Sequence, residues 1–258
     1  MNRIENIVRI RNKLKQGKPS IGTWMQIPSG SIAEILGYAG YDWVTVDLEH
    51  GSISTSQLPD LFRSIELGGT LPLARLAKGS LKDCKSALDA GAGGVILPMI
   101  ESEEQIRECI EWSCWPPMGK RGVGFSRANL FGKYFNEYRS ESQNPLIVAQ
   151  IEHINAVNNL EKILKCDGLD AIMIGPYDLS ASMNITAEFE DSKFIEIINR
   201  IKEVSKKHNI PSGLHIVKPE IIQLRNRIEE GYQFLAYSID SVFLNDSCQN
   251  PISTELQR

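Results

Sequence analysis

Eight short apolar segments alternate with longer segments of helical periodicity along almost the whole chain, and this alternation restricts the fold more than any other feature. Continuous apolar runs of about four to eight residues are typical of strands buried on both faces, as in a parallel sheet covered by helices. The eight segments are Ile21–Ile27, Trp43–Glu49, Leu71–Leu76, Gly93–Ile100, Leu146–Glu152, Ala171–Pro176, Ser212–Val217 and Phe234–Asp240.

Eight strand–helix units in 258 residues predict an α/β protein with a (β/α)8 TIM barrel, formed as a single domain over residues 1–258. An open doubly wound sheet is the alternative, but its GxGxxG fingerprint is missing, because the first strand leads into Pro28–Ser31. Spaced apolar residues before the first strand, including Ile7, Ile10 and Leu14, indicate an amphipathic N-terminal helix.

Composition excludes several functional classes. A net charge of −4 provides no electrostatic footprint for nucleic acid or an anionic membrane. No run of about 18 apolar residues is present, so no membrane span is expected. The N-terminus is too polar for a signal peptide. The five cysteines contain no CxxC pair, which argues against a disulfide framework or a zinc cluster and favours a cytoplasmic location.

Polar residues collect where the predicted strands end. In a TIM barrel the C-terminal ends of all strands meet at one rim, and active sites are built there. This chain places acids, two histidines, two glutamines, an arginine and a serine at these ends, namely Gln26, Asp47, Glu49, His50, Arg75, Gln150, Glu152, Asp178, His215, Ser238 and Asp240. The sequence therefore predicts one polar rim that contains the functional site.

Glu152 and Asp178 are candidate metal ligands. Each is the only carboxylate at its strand end, and the two strands are sequence neighbours, so the side chains should be close in space. Two hard oxygen ligands completed by water suit Mg²⁺ or Mn²⁺. The alternative is that each carboxylate caps the helix that follows it, since acids favour helix N-termini.

Arg75 and His50 are candidate catalytic residues. Arg75 lies in an apolar strand and needs a carboxylate partner, which is either a structural acid such as Asp47 or Glu49, or an anionic oxygen of a substrate. A carboxylate near an imidazole fixes its tautomer, so Asp47 and His50 form a candidate general acid/base pair. His215 could line the pocket, but a satisfied core histidine is the favoured interpretation.

No lysine lies within the eight apolar runs, so a Schiff-base aldolase is disfavoured, although Lys78 and Lys218 follow strands. The longest interruption, Trp115–Pro145, is rich in Gly, Pro, aromatic and basic residues. A connection of this length in a compact barrel usually serves as a lid, a binding loop or a subunit contact.

A series of motifs resembles the HpcH/HpaI family of metal-dependent pyruvate aldolases. The series runs in order from Gly22 to Asp240, and SRANLFG at Ser126–Gly132 is most similar to the sugar-acid aldolases of that family. The motifs are GTW (Gly22–Trp24), GYDWVTVDLEHG (Gly40–Gly51), the Arg75 strand, LPMIES (Leu97–Ser102), WPPMGKRGVG (Trp115–Gly124), QIE (Gln150–Glu152) and GPYDLSASM (Gly175–Met183).

The resemblance implies a site that cleaves a 4-hydroxy-2-oxo acid, derived from a sugar acid, to pyruvate and an aldehyde. It implies that Glu152 and Asp178 hold the divalent metal, Mg²⁺ or Mn²⁺ with Co²⁺ as a further option. Arg75 would stabilise the enolate oxygen, and His50, oriented by Asp47, would transfer protons. The substrate would be bound by backbone amides near Gly175–Asp178 and by neighbouring residues, namely Gly175, Pro176, Tyr177, Gln150, Trp24 and Glu49.

The resemblance also implies a homo-oligomer, either a hexamer or a trimer, with a C-terminal helix exchanged between subunits. The sequence departs from the family pattern at His215, in the eighth strand, which reads LAYSID (Leu235–Asp240), and at Tyr177. These departures leave the metal ligands in place and put the identity of the aldehyde in question. Two other functions stay open, an acyl-CoA lyase of the citrate-lyase type and a non-catalytic barrel that binds a small carboxylate.

Overall fold

The chain folds into a closed barrel of eight parallel strands, which confirms the TIM-barrel prediction over the open sheet. The computed structural model describes residues 3–248 and 250. The strands follow one another around the barrel in sequence order, and β8 pairs with β1. They are β1 (Ser20–Met25), β2 (Trp43–Asp47), β3 (Leu71–Arg75), β4 (Gly94–Leu97), β5 (Leu146–Ile151), β6 (Ala171–Ile174), β7 (Ser212–Ile216) and β8 (Phe234–Ile239).

Helices surround the barrel, and an N-terminal helix, α1 (Arg3–Lys15), precedes it as predicted. Within the described residues, no helix is long and apolar enough to cross a membrane. The remaining helical elements are α2 (Gly30–Tyr38), α3 (Leu58–Leu67), α4 (Leu81–Ala90), α5 (Glu103–Ser113), the 3₁₀ turn η1 (Arg127–Asn129), α6 (Phe135–Ser142), α7 (Ile154–Asn158), α8 (Leu160–Ile163), α9 (Pro176–Ser182), α10 (Ser192–Lys207), α11 (Ile221–Glu229) and α12 (Asp240–Ser247).

The predicted exchange of a C-terminal helix concerns α12 and the residues after it. Residues 249 and 251–258 lie outside the described part of the chain. The exchange therefore stays a prediction.

Helix α1 closes the barrel at the N-terminal ends of the strands. Its apolar residues Ile7, Ile10 and Leu14 share one buried cluster with the first residues of several strands. Among these, Trp43 stacks on Phe234 with ring centroids 4.5 Å apart. These side chains fill the barrel interior at the N-terminal ends of the strands. A functional site can therefore form only at the opposite end, where the carboxyl ends of the strands lie.

The Trp115–Pro145 connection lies at this closed end and not at the functional rim. It runs from the C-terminus of α5 to the start of β5, and the ends of helices in a (β/α)8 barrel lie beside the starts of strands. The guanidinium of Arg3 in α1 donates to Glu141 Oε1 at 2.6 Å, which ties the connection to the base of the barrel. The segment is therefore not a lid over its own subunit's rim, and the subunit-contact option stays a prediction.

Strands end earlier than the apolar runs suggested. β2 ends at Asp47 and β5 at Ile151, where the apolar runs had extended to Glu49 and Glu152. The polar residues that follow these strands therefore belong to the first turns of the rim loops. In these loops a side chain is free of strand alternation, so both Glu49 and Glu152 can face the same space.

Candidate active site

Arg75 is held by two carboxylates at the carboxyl ends of β2 and β3. Asp47 and Arg75 are register partners in the sheet. Arg75 Nε and Nη2 donate to the two Asp47 oxygens at 2.9 and 2.7 Å. Arg75 Nη1 also forms an ion pair with Glu49 Oε2 at 2.8 Å. The sequence left open whether Arg75 pairs with a structural acid or with an anionic oxygen of a substrate. The structure shows that Asp47 and Glu49 are its partners, and they fix the orientation of the guanidinium.

The Asp47 carboxylate is fully engaged by hydrogen bonds. Besides Arg75, it accepts from Gln26 Nε2 at 2.9 Å and from the backbone N–H groups of Glu49 and His50 at 3.0 and 3.3 Å. Burial alone would raise the pKa of Asp47, but the hydrogen bonds and charge of Arg75 outweigh it and hold that pKa below its usual value.

These contacts contradict the prediction that Asp47 orients the His50 ring. Asp47 binds the backbone N–H of His50, and in the described residues no hydrogen bond joins its carboxylate to the imidazole. The physical reason is that Arg75 and Gln26 already occupy the Asp47 oxygens. The His50 side chain is left exposed at the rim, next to Glu49.

Trp24 packs beneath the guanidinium. Its indole is buried, and Arg75 Cζ lies 4.0 Å from the ring centroid, within the range of a cation–π contact. His215 stacks against the same indole, with centroids 4.7 Å apart and an interplanar angle of 25°. Trp24 thus contacts both Arg75 and His215, the β7 residue at which the sequence departs from the family pattern.

Glu152 is a buried carboxylate with only 2% of its surface exposed. Its Oε1 accepts from the backbone N–H of Met99 at 2.7 Å, and its Oε2 accepts from Gln150 Nε2 at 2.9 Å. The cap of the following helix α7 is His153, whose side chain accepts from Asn155 N–H. The helix-cap interpretation of Glu152 is therefore wrong.

Burial, with a smaller contribution from neighbouring negative charge, makes Glu152 hard to ionise. Burial is the main cause that raises the pKa of Glu152 to about 7, and the hydrogen bond from Met99 opposes this shift. The charges of Glu49 and Asp178 raise the Glu152 pKa further, while Arg75 lowers it. Three carboxylates therefore interact across one small region, and Arg75 offsets only part of their charge.

Asp178 reaches this region from the first turn of α9. It is exposed, and no side chain caps the helix. The glycine before the helix is required by packing, because a Cβ at Gly175 would lie 2.4 Å from Glu152 Oε2. The start of α9 thus rests directly on the Glu152 carboxylate, which brings the two predicted metal ligands to one place.

The donor set fits a hard divalent cation. Glu152 and Asp178 contribute carboxylate oxygens, the ligands that Mg²⁺ and Mn²⁺ prefer, and a cation would offset the repulsion that raises the Glu152 pKa. Gln150 Oε1 is buried without a hydrogen-bond partner in the described part of the chain, and a bound water would supply one. Residues 3–248 and 250 contain no group of three or more His, Cys, Asp or Glu side chains suited to a metal. A cation bound by Glu152 and Asp178 would therefore need water or substrate as its further ligands.

The predicted carboxylate-binding amides are fewer than expected. The N–H of Gly175 already donates to the Ile151 carbonyl at 3.2 Å, and Pro176 has no N–H. Only Tyr177 and Asp178 then have backbone donors in this turn without an intrahelical partner. The Tyr177 ring is exposed and contacts Phe189 edge-to-face at 5.1 Å, so it lies at the mouth of the site.

Three rim residues have structural roles that the sequence did not assign. Gln26 donates to Asp47, and Met99 holds Glu152 through its backbone N–H with a positive φ of 50°. Asp240 accepts from the backbone N–H groups of Gln26 and Ile27 at 2.8 and 2.9 Å, which ties β8 to the loop after β1. Their positions at strand ends were visible in the sequence, but these contacts depend on neighbouring strands.

The fold and the site together define a TIM-barrel enzyme with an acidic, arginine-containing centre at its catalytic rim. Residues 20–246 match the profile of the family described as HpcH/HpaI aldolase/citrate lyase. The chain belongs to this family, and the resemblance inferred from the motifs is confirmed.

Relatives with named activities cover nearly the whole chain. The 2-keto-3-deoxy-L-rhamnonate aldolase of Escherichia coli (strain K12) is 31% identical over 243 residues, which covers 92% of this chain and 89% of the relative. The hydroxypyruvate/pyruvate aldolase of Roseobacter denitrificans is 31% identical over 240 residues, with 91% of each chain covered. The crystal structure of an HpcH/HpaI aldolase/citrate lyase family protein from Burkholderia cenocepacia has a TM-score of 0.87 at 26% identity, covering 96% of this chain and 98% of that one.

The pH dependence of stability is expected to carry a signature of His215. Burial is the main cause that lowers the pKa of His215 from 6.5 to about 4, and Arg75 lowers it further. Because the unfolded chain binds this proton more readily, the stability contribution is present above the unfolded pKa and is lost as the pH falls through about 4. We therefore expect the free energy of unfolding to fall less steeply in His215→Phe than in the wild type as the pH is lowered from about 7 to about 4. Urea unfolding of both proteins across this pH range measures the difference.

Glu152 acts in the opposite sense over part of the same range, because its pKa is raised. It is retained in both proteins, so their difference isolates His215. An equally steep fall in both proteins would contradict a lowered His215 pKa.

Proposed function

We propose that the protein is a divalent-metal-dependent class II aldolase that reversibly cleaves a 4-hydroxy-2-oxo acid, derived from a sugar acid, to pyruvate and an aldehyde. The observation that carries this proposal is the buried Glu152 carboxylate, packed against the start of the helix that bears Asp178 and close to Arg75. The named aldolase activities of the relatives, on a deoxy sugar acid and on pyruvate, support the same reaction class.

Glu152 and Asp178 would hold the cation, with Mg²⁺ or Mn²⁺ as the preferred ions and Co²⁺ as a further option. When bound, the cation supplies Lewis-acid polarisation of the substrate's ketone oxygen. Gln150 and the Met99 backbone fix both oxygens of Glu152 in place, so this ligand needs little reorganisation on binding. Tyr177 and Asp178 have backbone donors available for the substrate carboxylate, and Trp24 and Glu49 complete the wall around Arg75.

Arg75 stabilises the oxygen that gains charge during the reaction. Cleavage of the C3–C4 bond leaves its electron pair on the pyruvate fragment, where the charge is delocalised onto the ketone oxygen. A guanidinium held rigidly by Asp47, Glu49 and Trp24 provides fixed positive charge for that oxygen. Because the guanidinium is already oriented, the reaction does not have to reorganise it.

His50 is the proposed proton-transfer group. The C4 hydroxyl must lose its proton as the C3–C4 bond breaks, and C3 must gain a proton to form the methyl group of pyruvate. The His50 side chain is exposed at the rim beside Glu49, where a substrate can reach it. An imidazole can both accept and donate a proton, so one side chain can serve both transfers.

Assembly as a homo-oligomer, a hexamer or a trimer, is part of the proposal. The Trp115–Pro145 connection exposes large apolar side chains, including Phe125 at 74% and Phe131 at 67%. Apolar side chains exposed together on one segment are typical of a contact surface.

All five cysteine thiols are free, which supports a reducing, cytoplasmic location.

The decisive experiment is proton–deuterium exchange at the pyruvate methyl group, followed by NMR in D₂O with Mg²⁺ or Mn²⁺ and again with a chelator. This readout needs no knowledge of the aldehyde. We expect exchange with the metal and none with the chelator, because enolate formation is common to every aldehyde partner. A folded protein that binds the metal but exchanges no methyl protons would exclude the pyruvate aldolase proposal.

A further inference from the structure

Gln26 lies at the catalytic rim, directly after β1, and the function proposed above assigns it no role. Its side chain is half-buried, and both ends of its amide form hydrogen bonds. Nε2 donates to Asp47 Oδ2 at 2.9 Å, and Oε1 accepts from Ser241 Oγ at 3.3 Å. A carboxylate oxygen only accepts, so the amide has a single orientation, with its NH₂ group toward Asp47.

The two oxygens of the Asp47 carboxylate are held in different ways. Oδ1 accepts from the backbone N–H groups of Glu49 and His50, at 3.0 and 3.3 Å, and from Arg75 Nε at 2.9 Å. Among the described residues, Oδ2 accepts only from Arg75 Nη2, at 2.7 Å, and from Gln26 Nε2. Because rotation about the Cβ–Cγ bond of an aspartate is soft, the hydrogen bond from Gln26 sets the plane of the carboxylate.

The plane of this carboxylate decides how the Arg75 guanidinium faces a substrate. Nε and Nη2 bind the two Asp47 oxygens side by side, so the guanidinium turns with the carboxylate. Glu49 Oε2 has no hydrogen-bond partner in the part of the chain that the structure describes, so its pair with Arg75 Nη1 is a contact of charges alone. Trp24 limits the distance between Cζ and the indole but leaves this rotation open. Gln26 therefore orients Arg75 through Asp47.

The backbone of Gln26 is fixed by the start of α12. The buried Asp240 carboxylate accepts from the N–H groups of Gln26 and Ile27 at 2.8 and 2.9 Å. The N–H of Ser241 donates to the same carboxylate at 2.7 Å, and its hydroxyl lies beside the Gln26 amide. Gln26 is thus held at its backbone N–H and at both ends of its amide, which makes it a rigid support for Asp47.

We propose that Gln26 is a positioning residue of the aldolase reaction, which fixes the Asp47 carboxylate and thereby aims the Arg75 guanidinium at the oxygen that gains charge. This inference rests on the proposed aldolase function. Electrostatic stabilisation requires groups that are oriented before the reaction, and a displacement of about 1 Å can lower a rate about a hundredfold. A neutral donor suits this position, since a second cation beside Asp47 would compete with Arg75 for the carboxylate.

The test measures pyruvate methyl exchange with Mn²⁺ over a range of pyruvate concentrations, which yields kcat and KM separately. Gln26→Met keeps the length of the side chain and removes both polar ends of the amide. Gln223→Met is the matched control, because Gln223 on α11 is also half-buried and its side chain forms no hydrogen bond to any described residue. Isothermal titration calorimetry measures Mn²⁺ binding by each variant.

We expect kcat to fall about tenfold in Gln26→Met, with KM for pyruvate and the affinity for Mn²⁺ within about twofold of the wild type. The reason is that Arg75 acts on charge that develops during the reaction, so its misorientation affects the transition state more than the bound substrate. Gln223→Met should match the wild type in all three values. If Gln26→Met does not fold, Gln26→Leu replaces it.

A double-mutant cycle separates positioning of Arg75 from a merely structural role. If Gln26 acts through Arg75, its loss has no further effect once the guanidinium is gone. Adding Gln26→Met to Arg75→Met should therefore change kcat by less than about twofold. Gln26→Glu retains an acceptor for Ser241 but turns a second carboxylate toward Asp47, so it should lower kcat at least as much as Gln26→Met.

An unchanged kcat in Gln26→Met or in Gln26→Glu would overturn the inference. The same loss of kcat in the Arg75→Met background would also overturn it, because Gln26 would then act independently of Arg75. A rise in KM alone would contradict it as well, since Gln26 would then bind the substrate directly. Absence of methyl exchange in the wild type would refute the aldolase proposal and this inference with it. That result is obtained before any variant is measured, so the two failures are distinguishable.

Discussion

Glu152→Gln is expected to lower metal-dependent aldol cleavage and pyruvate methyl exchange by about a thousandfold or more. The substitution keeps the shape of the side chain but removes the charge that would hold the cation, and Lewis-acid stabilisation contributes several kcal/mol to such reactions. Steady-state kinetics with Mn²⁺ measures the loss of activity, and isothermal titration calorimetry measures the loss of Mn²⁺ binding. The binding measurement separates a ligand from a residue that acts only in catalysis.

Glu101→Gln is the matched control for this experiment. Glu101 is a carboxylate at the same rim, but it accepts from Asn155 Nδ2 at 2.8 Å and pairs with His153, outside the acidic centre. We expect this variant to bind Mn²⁺ like the wild type. Tight Mn²⁺ binding by Glu152→Gln, or equal losses in the two variants, would rule out Glu152 as the metal ligand.

Arg75→Met is expected to lower both stability and activity. The substitution leaves the Asp47 carboxylate fully buried without its main partner, and breaking a buried ion pair from one side costs about 3–5 kcal/mol of the free energy of unfolding. Aldol cleavage should fall at least about a hundredfold, since the fixed charge for the developing oxygen is lost. Urea unfolding and steady-state kinetics measure the two effects.

Arg63→Met provides the surface control. Arg63 pairs with Asp60 on α3, and side-chain exposures of 54% and 77% place this pair in solvent. Such pairs contribute at most about 1 kcal/mol, so little change in stability is expected. A loss in Arg75→Met no larger than in Arg63→Met would show that the buried pair adds nothing to stability.

A double variant separates the two effects of Arg75. Arg75→Met combined with Asp47→Asn removes the uncompensated buried charge, so part of the lost stability should return. Activity should not return, because the guanidinium is still missing. Recovery of both would indicate that Arg75 acts only by stabilising the fold.

Much of the fold and of the site was predictable because the relevant patterns are local. Apolar runs of strand length, separated by helical periodicity, identify a parallel barrel without reference to any distant contact. The chain topology of a barrel then places every strand end at one rim, so Glu152, Asp178 and Arg75 could be assigned to one site. The motif series extended this to the reaction class, which the match to the family profile supports.

The predictions that needed correction depended on which donor reaches which acceptor. Asp47 was expected to orient the His50 ring, but it is paired with Arg75, because β2 and β3 align the two residues in register. The Gly175 amide was expected to bind substrate, but it donates to the Ile151 carbonyl of the neighbouring strand. Both outcomes follow from strand pairing, which has no signature within either segment.

The sequence by itself determined the barrel, the polar rim and the set of chemical groups on it, because these follow from periodicity and from the position of a residue along its own strand. Only the tertiary structure decided how those groups are paired and how far each is shielded from water. Register between strands sets the Asp47–Arg75 pair, packing of α9 on Glu152 brings Asp178 close to the Glu152 carboxylate, and burial raises the Glu152 pKa. Hydrogen bonding and desolvation act between atoms that lie far apart in the chain, so no local pattern contains them.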